Sequence, residues 1–83
     1  MRVSGRVQGV WYRESCRRQA DAVGVSGWVR NTYDGTVEAV LEGDEAAVSK
    51  VVAWMRQGPP RAVVTGVDVQ PETPQGEQGF RTR

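Results

Sequence analysis

The sequence predicts an α+β sandwich: two helices on one face of an antiparallel sheet of four or five strands. Three observations predict it. Apolar and polar residues alternate at the start of the chain, a helical stripe replaces that alternation twice, and the elements read strand, helix, strand, strand, helix, strand. This βαββαβ order is the ferredoxin-like arrangement. The 83 residues suffice for one domain, 1–83, with no internal repeat or linker.

Met1 to Val7 places Val3, Gly5 and Val7 on one side and Arg2, Ser4 and Arg6 on the other, the pattern of a half-buried strand. Gln8-Gly9-Val10-Trp11 breaks the alternation. From Tyr12 onward, Tyr12, Cys16, Ala20 and Val23 fall on one helical stripe, and Gly24 ends it. Val25 to Asn31 and Thr36 to Glu42 read as strands two and three, joined by the turn Thr32-Tyr33-Asp34-Gly35. Asp44 is an expected N-cap for a second helix whose stripe is Val48, Val51, Val52 and Met55, and Gly58-Pro59-Pro60 ends it. Ala62 to Gln70 is the fourth strand, Pro71 to Gly79 a polar loop, and Phe80 to Arg83 a short terminal strand.

Composition narrows the chemistry. A net charge of +1 offers no broad field for nucleic acid or membranes, and neither is expected as a partner. No apolar run approaches the ~18 residues of a membrane span, and the MRVSGRVQ start carries no secretory pattern. Cytoplasmic residence and a monomeric state are the expectations. One cysteine rules out an internal disulfide, and Ala22, six residues after Cys16, stands where a cysteine phosphatase needs arginine. With no histidine, imidazole triads and histidine-ligated metals are excluded. No metal or cofactor is expected.

In this topology strands one and two run the same way with strand three between them. Their C-terminal ends then share one rim, two strand steps of ~4.8 Å apart. The loop after strand one leads into a helix N-terminus, where unpaired N–H groups and the positive end of the helix dipole face one spot. A glycine lets such a loop curl into an anion nest. Arg13 adds a permanent cation with a planar fork of donors. It also opposes the helix dipole at a cost of ~0.3–1 kcal/mol, which a bound anion reverses. A plain turn with Arg13 solvated is the alternative, and the residues alone leave it open. Asn31 reads as a turn residue on its own. Opposite the Arg13 loop, its carboxamide can accept a hydrogen from water and donate another to a phosphoryl oxygen.

Gly5-Arg6-Val7-Gln8-Gly9-Val10-Trp11-Tyr12-Arg13 resembles the first signature of the acylphosphatase family. Gly27-Trp28-Val29-Arg30-Asn31, followed by Gly35, Val37 and Gly43, resembles the second. The resemblance covers essentially the whole chain, Trp54 and the Gly58-Pro59-Pro60 exit included. It departs only at the two ends, where the first strand starts at Met1 and the terminal Gly79–Arg83 segment is short.

The resemblance implies a ferredoxin-like hydrolase that splits the carboxyl–phosphate bond of small acyl phosphates without a metal. Inorganic phosphate is then product and inhibitor. It implies a backbone cradle from Gln8, Gly9, Val10, Trp11, Tyr12 and Arg13, with Arg13 binding phosphate and Asn31 orienting water as the catalytic pair. The missing histidine fits that chemistry, because a carboxylate leaves as a stable anion without a general acid. Donors aimed at the phosphoryl oxygens suffice for a loose transition state. Two rivals differ in class. A non-catalytic anion- or RNA-binding module would use Trp28 with Arg6 and Arg30 on the open sheet face. A detached domain of a carbamoyl-transfer enzyme is the other.

Overall fold

The computed structural model describes residues 1–83. Its elements are β1 (Arg2–Arg6), α1 (Tyr12–Val23), β2 (Ser26–Asn31), β3 (Val37–Glu42), α2 (Glu45–Gln57), β4 (Val63–Asp68) and β5 (Phe80–Thr82). All strands join one sheet in the order β4-β1-β3-β2-β5. β1 and β2 each pair antiparallel with β3 and therefore point the same way.

The expected all-antiparallel sheet needs one correction. β5 pairs parallel with β2, Gly27 opposite Phe80 and Val29 opposite Thr82, so the sheet is mixed. The reason is the path of the polar segment after β4. It crosses the end of the sheet remote from Asn31 and sets the chain down beside the start of β2, so β5 runs toward the Asn31 rim.

Packing follows the stripes read from the sequence. Val3, Val29, Val37 and Ala39 of the sheet meet Tyr12, Cys16 and Ala20 of α1 and Val51 and Met55 of α2. Tyr12 is buried in this core, donates its hydroxyl to the Met55 carbonyl at 2.7 Å and packs 5.5 Å from the Trp54 ring.

Two local expectations shift. β4 is shorter than Ala62 to Gln70 because its ladder with β1 ends at the Arg2–Asp68 pair. Asp44 occupies the α2 N-cap position, but its side chain makes no cap bond and its carbonyl accepts from the Val48 N–H at 2.9 Å.

Gly5 has a steric reason. The β1–β4 register shifts there, with Ser4 opposite Gly66 and Gly5 opposite Val64, which leaves Thr65 as the extra residue of a bulge. A Cβ on Gly5, at φ 118°, would collide with the Val63 carbonyl.

Candidate active site

The chain leaves β1 at Arg6 and enters α1 at Tyr12, and the segment between them alternates in hand. Gly9 has φ 73° and Trp11 φ 66°, and Trp11 is the one non-glycine residue with positive φ. Gln8, Val10 and Tyr12 therefore lie on the negative side. Alternating signs turn successive N–H groups toward one point, the geometry of an anion nest.

Those donors have no internal acceptor. No backbone bond starts from the N–H of Gln8, Gly9, Val10 or Trp11, and the first helical bond runs from the Ser15 N–H to the Trp11 carbonyl at 3.1 Å. The N–H groups of Tyr12, Arg13 and Glu14 are first-turn donors that a helix leaves free.

Two side chains hold the loop in place. Val10 is buried in the core. The Gln8 side-chain amide donates to the Thr32 carbonyl at 2.7 Å and to the Thr36 carbonyl at 2.9 Å. Gln8 thus contributes its backbone to the nest while its side chain ties the nest to the β2–β3 hairpin. Tyr12 likewise offers only its backbone, because its ring belongs to the core. Burial, and secondarily Cys16, pushes the Tyr12 phenol well above its ordinary range.

Arg13 and Asn31 meet at one open cleft of about 410 Å³, whose lining also includes Val7, Gly9, Trp11, Tyr12, Glu14 and Thr82. The Arg13 guanidinium donates one N–H to the Arg83 carbonyl at 3.0 Å. The remainder of its five-donor fork stays available. Asn31 closes β2 opposite Val37. Its side-chain Oδ1 is buried and has no hydrogen-bond partner in the protein. An unpaired buried acceptor costs about 1–3 kcal/mol, so its retention asks for a donor from outside the chain. Two other grooves, beside Met1 and Val40 at the far end of the sheet, gather none of these residues.

Three features of the cleft escape reading from sequence. Thr82 arrives because β5 is parallel to β2. Arg83 supplies the carbonyl that steadies Arg13 for the same reason. Glu14 also lines the cleft, and its place in the first turn of α1 was the available signal. Its carboxylate accepts from Arg17 at 2.6 Å and from Arg18 at 3.3 Å, and the Arg17 hydrogen bond is the main reason its pKa falls to about 2. A carboxylate with so low a proton affinity is a poor general base.

The remaining candidates are structural. Burial pushes the Cys16 thiol up to about 12, which removes it as a nucleophile. No three His, Cys, Asp or Glu side chains converge where they could hold a metal ion. On the open sheet face, Trp28 lies under the guanidinium carbons of Arg83 at 4.6 Å and Arg30 at 5.5 Å, with Arg6 not among them.

Comparison with known proteins adds an independent line. The family model described as acylphosphatase matches residues 1–82. An acylphosphatase from Rubrobacter xylanophilus is 55% identical over 82 residues, which cover 98% of this chain and 74% of that protein. One from Thiobacillus denitrificans is 53% identical over 83 residues, covering 100% and 92%. The crystal structure of acylphosphatase from Bacillus subtilis superposes with a TM-score of 0.94 at 36% identity, covering 99% of this chain and 92% of that one.

Proposed function

The chain belongs to the acylphosphatase family, and on that premise we propose that Arg13 and the Gln8–Arg13 amides bind the substrate phosphate while Asn31 aims water at it. The activity is that of an acylphosphatase, hydrolysing a carboxyl–phosphate anhydride to a carboxylate and inorganic phosphate.

In this reading the nest amides and the Arg13 fork surround the phosphoryl oxygens, where charge spreads in a loose transition state. The donors are fixed before substrate arrives, so little reorganisation is required. Asn31 Oδ1 accepts one hydrogen of the attacking water and its amide faces a phosphoryl oxygen. Random encounter is thereby converted into an aligned one. The carboxylate leaves without a proton. The water's proton passes to a phosphoryl oxygen, since the hydrogen bond from Arg17 leaves the Glu14 carboxylate weakly basic and no imidazole exists.

The observation that carries this reading is the orphaned Asn31 Oδ1 in the same cleft as the unpaired loop amides and Arg13. The proposal extends to a monomeric, metal-independent enzyme, since one chain supplies every proposed site residue and two kinds of donor stand where a cation would act. The Arg83 and Arg30 guanidiniums already flank Trp28, so base stacking on the open face stays outside the proposal.

Phosphate release from acetyl phosphate and carbamoyl phosphate, followed in the presence of a chelator, tests it. The expected result is turnover equal to that without chelator. Turnover that required added metal would remove the metal-free reading, and no turnover would remove the site.

A further inference from the structure

Trp11 is unexplained by the protein's own stability. At φ 66° it holds a left-handed conformation that costs an L-residue of its bulk appreciable strain. Strain of this kind persists where surrounding packing or function requires it. Packing does not, because the residue is 76% exposed. The other two tryptophans are covered: Trp54 packs on Tyr12, and Trp28 lies under Arg30 and Arg83. Trp11 has no ring and no guanidinium against it. The backbone here needs positive φ to shape the nest, and glycine would supply it without strain. A bulky aromatic stands there instead, on the wall of the catalytic cleft.

Reaction geometry says what passes that wall. In-line displacement puts the attacking water and the leaving oxygen on opposite sides of phosphorus. With water at Asn31 on the β2 side, the acyl group departs away from β2. The opposite side is formed by the loop, whose largest side chain is Trp11. We propose that the Trp11 indole is the acyl-group wall of the site and makes the enzyme prefer acyl phosphates with an aromatic or extended apolar acyl group over acetyl phosphate. This rests on the phosphate and water assignments above. An aryl acyl group stacks on or meets the edge of the indole, covering apolar surface on both partners, whereas a methyl group reaches little of it.

The test compares kcat/KM for benzoyl phosphate and acetyl phosphate in the intact enzyme and in Trp11→Gly and Trp11→Phe. Glycine suits the backbone angle, and circular dichroism with thermal melting confirms the fold. The intact enzyme should favour benzoyl phosphate by about tenfold or more, mainly through KM. Trp11→Gly should erase most of that ratio, and Trp11→Phe should keep the larger part of it. A ratio unchanged in Trp11→Gly, or lost equally in Trp11→Phe and Trp11→Gly, overturns the wall. Arg13→Ala measured alongside separates the two levels. Unimpaired turnover of acetyl phosphate in that variant overturns the site assignment, and the wall with it.

Discussion

Gln8 and Thr32 are joined across the rim that Arg13 and Asn31 share: the Gln8 side-chain amide donates to the Thr32 carbonyl at 2.7 Å, one residue beyond Asn31. A second bond to the Thr36 carbonyl at 2.9 Å uses the other hydrogen of the same amide. The loop proposed to hold phosphate and the strand end proposed to hold water are thus mechanically linked. Gln8→Ala is expected to lower stability by about 1–3 kcal/mol, because two hydrogen bonds worth about 0.5–1.5 kcal/mol each are lost, while the Gly35 N–H still reaches the Thr32 carbonyl and the Thr32 N–H the Thr36 carbonyl. It should also weaken inhibition by inorganic phosphate and lower kcat together. Urea unfolding and phosphate inhibition measured on one preparation check this, and a loss of stability with untouched kinetics would show that the tie does not position the site.

Arg13 is expected to be indispensable for binding the phosphate charge. Arg13→Ala should reduce kcat/KM by at least 10²-fold and raise the inhibition constant for phosphate, in line with the loss of about 2.7–4 kcal/mol for one transition-state donor. Arg13→Lys should recover only part of this, because an ammonium lacks the planar fork. Steady-state kinetics with acetyl phosphate decide it.

Asn31 should separate binding from chemistry. Asn31→Ala removes the carboxamide proposed to hold the water but leaves the nest intact. The expected outcome is a fall of about 10²–10³-fold in kcat with phosphate inhibition nearly unchanged. The variant should not unfold, since the Oδ1 it removes bonds to nothing in the protein. Full turnover in Asn31→Ala would end the assigned role.

Asp34 predicts an acid-sensitive turn. Its carboxylate accepts from the Thr32 hydroxyl, from the Thr36 hydroxyl at 2.8 Å and from the Thr36 N–H at 3.2 Å. These bonds, the Thr32 hydroxyl first, lower its pKa from 3.8 to about 2. A folded pKa below the unfolded one means stability that is fully present above about pH 4 and lost as pH falls toward 2. Asp34→Asn should therefore flatten the pH dependence of the urea midpoint in that window while lowering it modestly at pH 7. An unchanged acid slope would show that the turn does not feel the titration.

Much of this molecule is legible in its residues because burial repeats at the period of each element. Val3 and Val7, the Tyr12–Cys16–Ala20 stripe, and Val51 with Met55 announce their faces through spacing alone. The shared rim of Arg13 and Asn31 follows from strand direction, which topology supplies. β5 is only partly legible, since three residues with a single buried Phe80 carry too little pattern to reveal that the strand runs parallel to β2. The Gln8 tie and the Arg83 carbonyl on Arg13 are illegible for a different reason: each depends on tertiary placement that local preference does not encode. The unpaired oxygen of Asn31 is likewise a property of surroundings, whereas the residue type suggests only a turn.

The bond between Arg13 and the Arg83 carbonyl spans 70 positions along the chain, and that of Gln8 with Thr32 spans 24. Loops of such length close late, because their entropy must be overcome before the contact gives anything back. Helices α1 and α2, of 12 and 13 residues, are too short to hold well in water alone and draw their stability from the same packing. During refolding, helical signal and enzymatic activity should consequently return in one phase, and stopped-flow circular dichroism beside an activity time course checks it. The arginine proposed to bind phosphate therefore reports on completion of the whole topology.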